Sequence, residues 1–138
     1  MQGILAAYLD YQVRTAPPHD LVEMLYTGAV AQIRAARRLL GDGLIFERSS
    51  AVDKACRILL ELESNLDERA SPEWSARYRA VYARIRYQLL KANLNMSDAL
   101  LAEAQEAAEA LRSNWLEVKA MLGQNDGMTE AAGTGSSR

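Results

Sequence analysis

Apolar residues recur along most of the chain at steps of three and four, the spacing of a helix that buries one stripe. In residues 18–40 one row runs Leu21, Met24, Leu25, Gly28, Ala31, Ala35 and Leu39, and a second runs Val22, Tyr26, Val30, Ile33 and Leu40. Two rows cover so much of the circumference that the helix must be buried on two sides, as in a bundle. Residues 45–66 carry Phe46, Val52, Ala55, Ile58, Leu59, Leu62 and Leu66, and residues 72–94 carry Trp74, Tyr78, Val81, Tyr82, Ile85, Leu89 and Ala92. A fourth stretch places Leu101, Ala104, Ala108, Leu111, Trp115, Val118 and Leu122 at alternating steps of three and four, a bundle seam over three heptads.

The punctuation agrees with four helices. Pro17 and Pro18 stop any helix arriving from the N-terminal side, yet Pro18 suits the first helical position, where its missing N–H costs nothing. Asp20 then sits in the first turn, and Arg34, Arg37 and Arg38 near the end complement the helix dipole. Gly41 and Gly43 end that helix. Ser71, Pro72 and Glu73 supply an N-cap, a first-turn proline and a first-turn acid in the favoured order. Asn93 and Asn95 mark the exit of the third helix, with Asn95 or Ser97 capping the fourth. Short connections make sequential neighbours antiparallel. The prediction is an all-α, antiparallel up-down four-helix bundle over residues 17–122.

Ahead of it, residues 1–16 form an arm with Ile4, Leu5, Tyr8, Leu9 and Tyr11 on one amphipathic face. Two turns fall short of the ~12–15 residues an isolated helix needs in water, so the arm's order must come from docking. Residues 123–138, rich in Gly, Ser and Thr and without an apolar period, are expected to be a disordered tail.

Composition removes most chemistries. The single cysteine, Cys56, precludes an internal disulfide, and the single histidine, His19, stands at a helix start beside Pro18 rather than in a catalytic pairing. No Glu-x-x-His motif, phosphate loop, Cys-x-x-Cys or Gly-x-Ser-x-Gly is present, so no catalytic residue, metal site or cofactor is expected. Acid pairs such as Glu61 with Glu63 read as solvated helix charges. No apolar run approaches a membrane span and no signal segment opens the chain, which predicts a cytoplasmic protein with no membrane role. A net charge of −2 and a pI near 5.5 argue against nucleic acid as partner. The third helix does mix Arg77, Arg79, Arg84, Arg86 and Lys91 with tyrosines, and a solvated basic face behind a buried one accounts for that mixture. Six tyrosines are more than a small bundle core would choose, since each buried hydroxyl needs a partner; as a set they point to a groove.

The segment T-A-P-P-H-D-L-V-E-M-L-Y-T-G-A from Thr15 closely resembles the signature T-A-S-P-h-x-L-v-x-M-L-Y-d-G-A of the flagellin-specific export chaperones, the FliS family. A-C-R-I-L-L-E-L-E-S-N-L-D from Ala55, A-V-Y-A-R-I-R-Y-Q-L-L-K-A-N-L from Ala80 and N-W-L-E-V from Asn114 extend the similarity in order. Pro17 replaces the family's capping serine, Thr27 an acidic or amide residue, and the third helix gains arginines.

The resemblance implies a cytoplasmic chaperone that binds the disordered C-terminal segment of flagellin, prevents premature polymerisation and aids export, with the export gate and a homodimer as further candidate contacts. For the client groove the expected residues are Tyr78, Tyr82, Ile85 and Leu89 of the third helix and Ile58 and Leu62 of the second. Tyr8, Leu9 and Tyr11 of the arm are expected to cover it when no client is bound. The alternatives from physics alone are a helical adaptor for another protein and, more remotely, an RNA-binding bundle.

Overall fold

The computed structural model of the protein describes residues 18–69 and 71–136. Four helices follow one another: α1 (Pro18–Gly41), α2 (Ile45–Ser64), α3 (Pro72–Asn95) and α4 (Asp98–Ser136). The arm, with Tyr8, Leu9 and Tyr11, lies outside the described residues.

Local chemistry sets the helix ends. Gly43 takes a positive φ of 72° in the α1–α2 turn, a conformation that a side chain would strain. Ser71 caps α3 by accepting from the Trp74 backbone N–H at 3.2 Å, with Pro72 in the first turn. Met96 closes α3 in the left-handed region at φ 50°, and the Ser97 hydroxyl accepts from the Leu100 backbone N–H at 3.1 Å to start α4. α2 ends at Ser64, two residues before the expected Leu66, and the side-chain amide of the following Asn65 donates to the Glu61 carbonyl at 2.7 Å.

The apolar period of α4 stops at Leu122, and the helix runs on to Ser136. Periodicity marks which face is buried, not how far the backbone stays helical. No proline interrupts residues 123–136, and each glycine there costs about 1 kcal/mol relative to alanine without breaking the helix.

Each helix packs on its sequence neighbours and α4 packs back on α1, while α1 and α3 face each other across the diagonal. The side-chain pairings give the directions. Lys119 meets Asp20 at 2.9 Å and also Glu23, Arg112 donates to the Thr27 hydroxyl at 3.1 Å, Arg34 meets Glu109 at 2.7 Å, and Arg37 meets Asp98 at 2.9 Å. Partners on α4 fall in number as those on α1 rise, so the two helices are antiparallel. Arg48 against Asn93 and Arg79 against Glu63 set the same relation for α2 and α3. Hence one end, the entry end, holds the start of α1 and the α2–α3 connection. The far end holds the α1–α2 and α3–α4 turns.

Ile33, Val52, Leu59, Leu89 and Leu101 are wholly buried where all four helices converge. At the α1–α2 contact, a Cβ on Gly28 would stand 3.3 Å from Ile58 Cδ1, so a small residue there lets the helices approach. Met24, Ala31, Trp74 and Val81, which the apolar rows assign to the interior, are instead at the surface, because they sit at the edges of their stripes. Glu61, expected to be solvated, is buried. Burial pushes its carboxyl above the usual range against the opposing effect of Ser64. Cys56 is a buried free thiol pushed up to about 11, chiefly by burial and secondarily by Asp53, and its role is packing.

The seam of α4 weakens along its length. Leu101, Ala104 and Ala108 are fully buried, Leu111 and Trp115 only partly, and Val118 is 37% exposed. The core therefore thins toward the entry end.

Candidate functional site

That thinning leaves a cavity of about 290 Å³. Val22 and Tyr26 line it from α1, Leu62 and Leu66 from the end of α2 and its exit, Tyr78 and Tyr82 from α3, and Leu111, Trp115 and Val118 from α4. Asn65, Asp67 and Asn114 add polar groups. Large apolar walls with a few polar groups are the usual make-up of a site that takes a ligand or a side chain of another polypeptide.

Its inner boundary is a pair of tyrosines. The Tyr26 and Tyr82 hydroxyls meet at 2.6 Å across the bundle diagonal, and their ring centroids are 6.4 Å apart. Burial raises the pKa of both, so both stay neutral. Two neutral hydroxyls carry two protons, and one proton suffices for the bond between them. Among the described residues neither hydroxyl makes another hydrogen bond, so the second proton is available to an acceptor that enters the cavity. Rings continue outward from this pair, with Tyr82 to Tyr78 at 6.1 Å and Tyr78 to Trp74 at 6.2 Å. The Tyr78 hydroxyl accepts from the Asn114 amide at 3.4 Å, linking the row to α4.

The sequence-predicted groove residues separate into two sets. Tyr78, Tyr82 and Leu62 line the cavity together. Ile85 and Leu89 do not; they are core residues, 2% and 0% exposed, because they fall at the bundle's midpoint, where α3 is surrounded. Ile58 is half-buried against Gly28, away from the cavity. Leu66, Leu111, Trp115 and Val118 were missed as site residues, since a seam position reads as core from periodicity. The signal was the antiparallel register, which sets Asn114 and Trp115 of α4 opposite Tyr78.

The basic face of α3 is largely neutralised. Arg77 pairs with Glu73 at 2.9 Å and lies 5.1 Å over the Trp74 ring. Arg79 bonds Glu68 and approaches Glu63 at 3.4 Å, and Arg86 reaches Glu63 at 3.3 Å. Among the described residues no group of three or more His, Cys, Asp or Glu is placed to hold a metal ion, and no helix is long and apolar enough to cross a membrane.

A bundle with an open apolar cavity beside the start of its first helix is the setting for the comparison with known proteins. The family model described as "Flagellar protein FliS" matches residues 1–122. The chain belongs to the FliS family. The match ends where the apolar period of α4 stops. The flagellar secretion chaperone FliS of Salmonella typhimurium is 34% identical over 110 residues, which is 79% of this chain and 78% of the relative. That of Bacillus subtilis is 30% identical over 115 residues, 83% and 85% of the two chains. That of Vibrio cholerae is 25% identical over 122 residues, 86% and 90%. These FliS relatives are chaperones by name, and the cavity is the feature of the fold best suited to holding part of another chain.

The tyrosine pair gives a test of the cavity floor. Replacing Tyr26 or Tyr82 singly with Phe leaves the other hydroxyl buried without its partner, so each variant should lose roughly 1–3 kcal/mol. The double variant removes both hydroxyls and should lose clearly less than the sum of the singles. Urea unfolding of the four proteins measures this; strict additivity would show that the bond is not formed.

Proposed function

We propose that the protein is a flagellar secretion chaperone whose client is the C-terminal segment of flagellin, which it binds to prevent premature polymerisation and to hold the subunit ready for export. The observation that carries the proposal is the half-open apolar cavity at the entry end of a FliS-family bundle. The names of the relatives, flagellar secretion chaperones, support the process.

A flagellin terminus is disordered as a monomer and forms amphipathic helix in the filament, so an uncovered one is an aggregation hazard. An apolar anchor from such a segment fits the space between Leu66, Tyr78, Leu111 and Trp115. A backbone carbonyl beside the anchor would accept the spare hydroxyl proton of the Tyr26–Tyr82 pair. Partial helix formation on the bundle is the helix-in-groove mode of recognition. Ordering a disordered client costs several kcal/mol of the gross contact energy, which keeps the complex releasable. Tyr78, Tyr82 and Leu62 are the client-contacting residues carried forward from the sequence, joined by Leu66, Leu111 and Trp115. Delivery to the export gate is part of the same proposal.

α1 begins at Pro18, one turn before Val22, which lines the cavity. The proposal therefore includes an arm that covers the cavity through Tyr8, Leu9 and Tyr11 until the client displaces it.

Titration calorimetry of the full chain against a flagellin C-terminal peptide should show one-to-one binding with a Kd below about 1 μM and a large negative heat-capacity change, the mark of apolar burial. Absence of heat at several temperatures would remove flagellin as the client. For the arm, amide hydrogen exchange at residues 4–13 should speed up when the client is added; equal protection with and without client would sink the covering role.

A further inference from the structure

Most of the positive charge on α3 is taken up by neighbouring acids, but two of its cations are not. Arg77 pairs with Glu73, Arg79 and Arg86 share Glu63, and Arg79 also bonds Glu68. Arg84 and Lys91 are exposed, and among the described residues neither forms an ion pair. The acid on the α4 flank, Glu103, is bonded instead by Gln88 at 3.0 Å. Seven residues separate the two cations, which is two helical turns, or about 10 Å along the axis. Arg84 lies in the stretch of α3 that gains arginines over the family signature.

Apolar side chains accompany them. Tyr87, Leu90 and Leu94 are 69%, 57% and 82% exposed. Their steps of three and four stack them on one face of the helix, beside Arg84 and Lys91. α3 packs on α2 and α4, and no other described helix approaches this third face. Tyr78 and Tyr82 line the cavity from the inward side of the same helix, so the outer face is no part of that site. Large apolar residues gathered on one uncovered face mark an interaction surface, whereas scattered ones do not.

We propose that this outer face of α3 docks an acidic amphipathic helix of a partner protein, separately from the client in the cavity. Charge selects the occupant. A helix with carboxylates seven residues apart and apolar residues at the intervening steps meets Arg84 and Lys91 while it covers Tyr87, Leu90 and Leu94. A second copy laid on the same face would set Arg84 and Lys91 against their like, and like charges repel. Nucleic acid has no use for a leucine stripe and is disfavoured by the net charge of −2. Three apolar side chains and two surface ion pairs make a small contact, so the complex is weak and reversible. Partner and client use different sides of α3 and bind together.

The probe is a fluorescein-labelled, end-blocked peptide of about 20 residues, with Glu at every seventh position, Leu at the intervening steps of three and four, and Ala elsewhere. Anisotropy titration with the full chain, the peptide held at nanomolar concentration, should give a Kd of about 10–100 μM. The same peptide with Lys in place of Glu should bind at least about tenfold more weakly. In the Arg84→Glu, Lys91→Glu double variant the preference should invert, the Lys peptide then binding more tightly, which only facing charges produce. Tyr87→Ala and Leu94→Ala should each weaken the acidic peptide by about fivefold. Far-UV circular dichroism should be unchanged in every variant, since these side chains lie at the surface. Equal affinity for the two peptides, or an unchanged preference in the double variant, overturns the proposal. So does displacement of the acidic peptide by the flagellin C-terminal peptide, which would assign the face to the client. Tighter binding of a single-stranded RNA of about 12 nucleotides would overturn it as well, by assigning the face to nucleic acid.

Discussion

Two phenol hydroxyls that must find partners inside a helical bundle shape the rest of the molecule. Tyr26 and Tyr82 lie on helices that face each other only across the diagonal, and they satisfy each other at 2.6 Å. A buried hydroxyl left alone would cost roughly 1–3 kcal/mol. The pair therefore fixes the spacing of α1 and α3 at that level. On its inner side the space is filled by Ile33, Leu59, Leu89 and Leu101. On its outer side the large residues of α4 stand apart from the rings, and the cavity opens.

The two ends of the bundle consequently differ in character. At the far end a buried arginine, Arg48, bonds the last turn of α3, where positive charge meets the negative pole of the helix, and the helices are joined by turns of few residues. At the entry end ion pairs of Lys119 with Asp20 and Glu23 hold α4 to α1, leaving the middle of the section apolar and open. Short turns at one end and an open apolar cavity at the other are the asymmetry on which the proposed client binding rests.

Much of this was legible from residue spacing. The proline at position 18, the glycines at 41 and 43 and the Ser71–Pro72–Glu73 cap each act through local backbone chemistry, and three helices begin or end within two residues of where those signals fall. The site was less legible. Tyr78, Tyr82 and Leu62 were visible as candidates, but Ile85 and Leu89 carry the same apolar spacing and are core. A period records which face of a helix is inward, whereas exposure along that face depends on how far the opposite helix has diverged. Trp115 shows the same limit in reverse, a perfect seam position that opens on a cavity. The helical stretch beyond Leu122 carries no apolar period, so spacing could not announce it.

The central claim is that the flagellin segment seats in the cavity bounded by the tyrosine pair. Site-specific photocrosslinking tests it most directly, with a benzophenone amino acid placed at Leu66 in cells that make flagellin, and the same group at Gln32 on the α1–α2 side as the reference position. An adduct at position 66 that maps to the flagellin C-terminal segment, and is absent at position 32, is the predicted result. No adduct at 66, from a chaperone that still co-purifies with flagellin, would contradict the account and place the client elsewhere on the bundle.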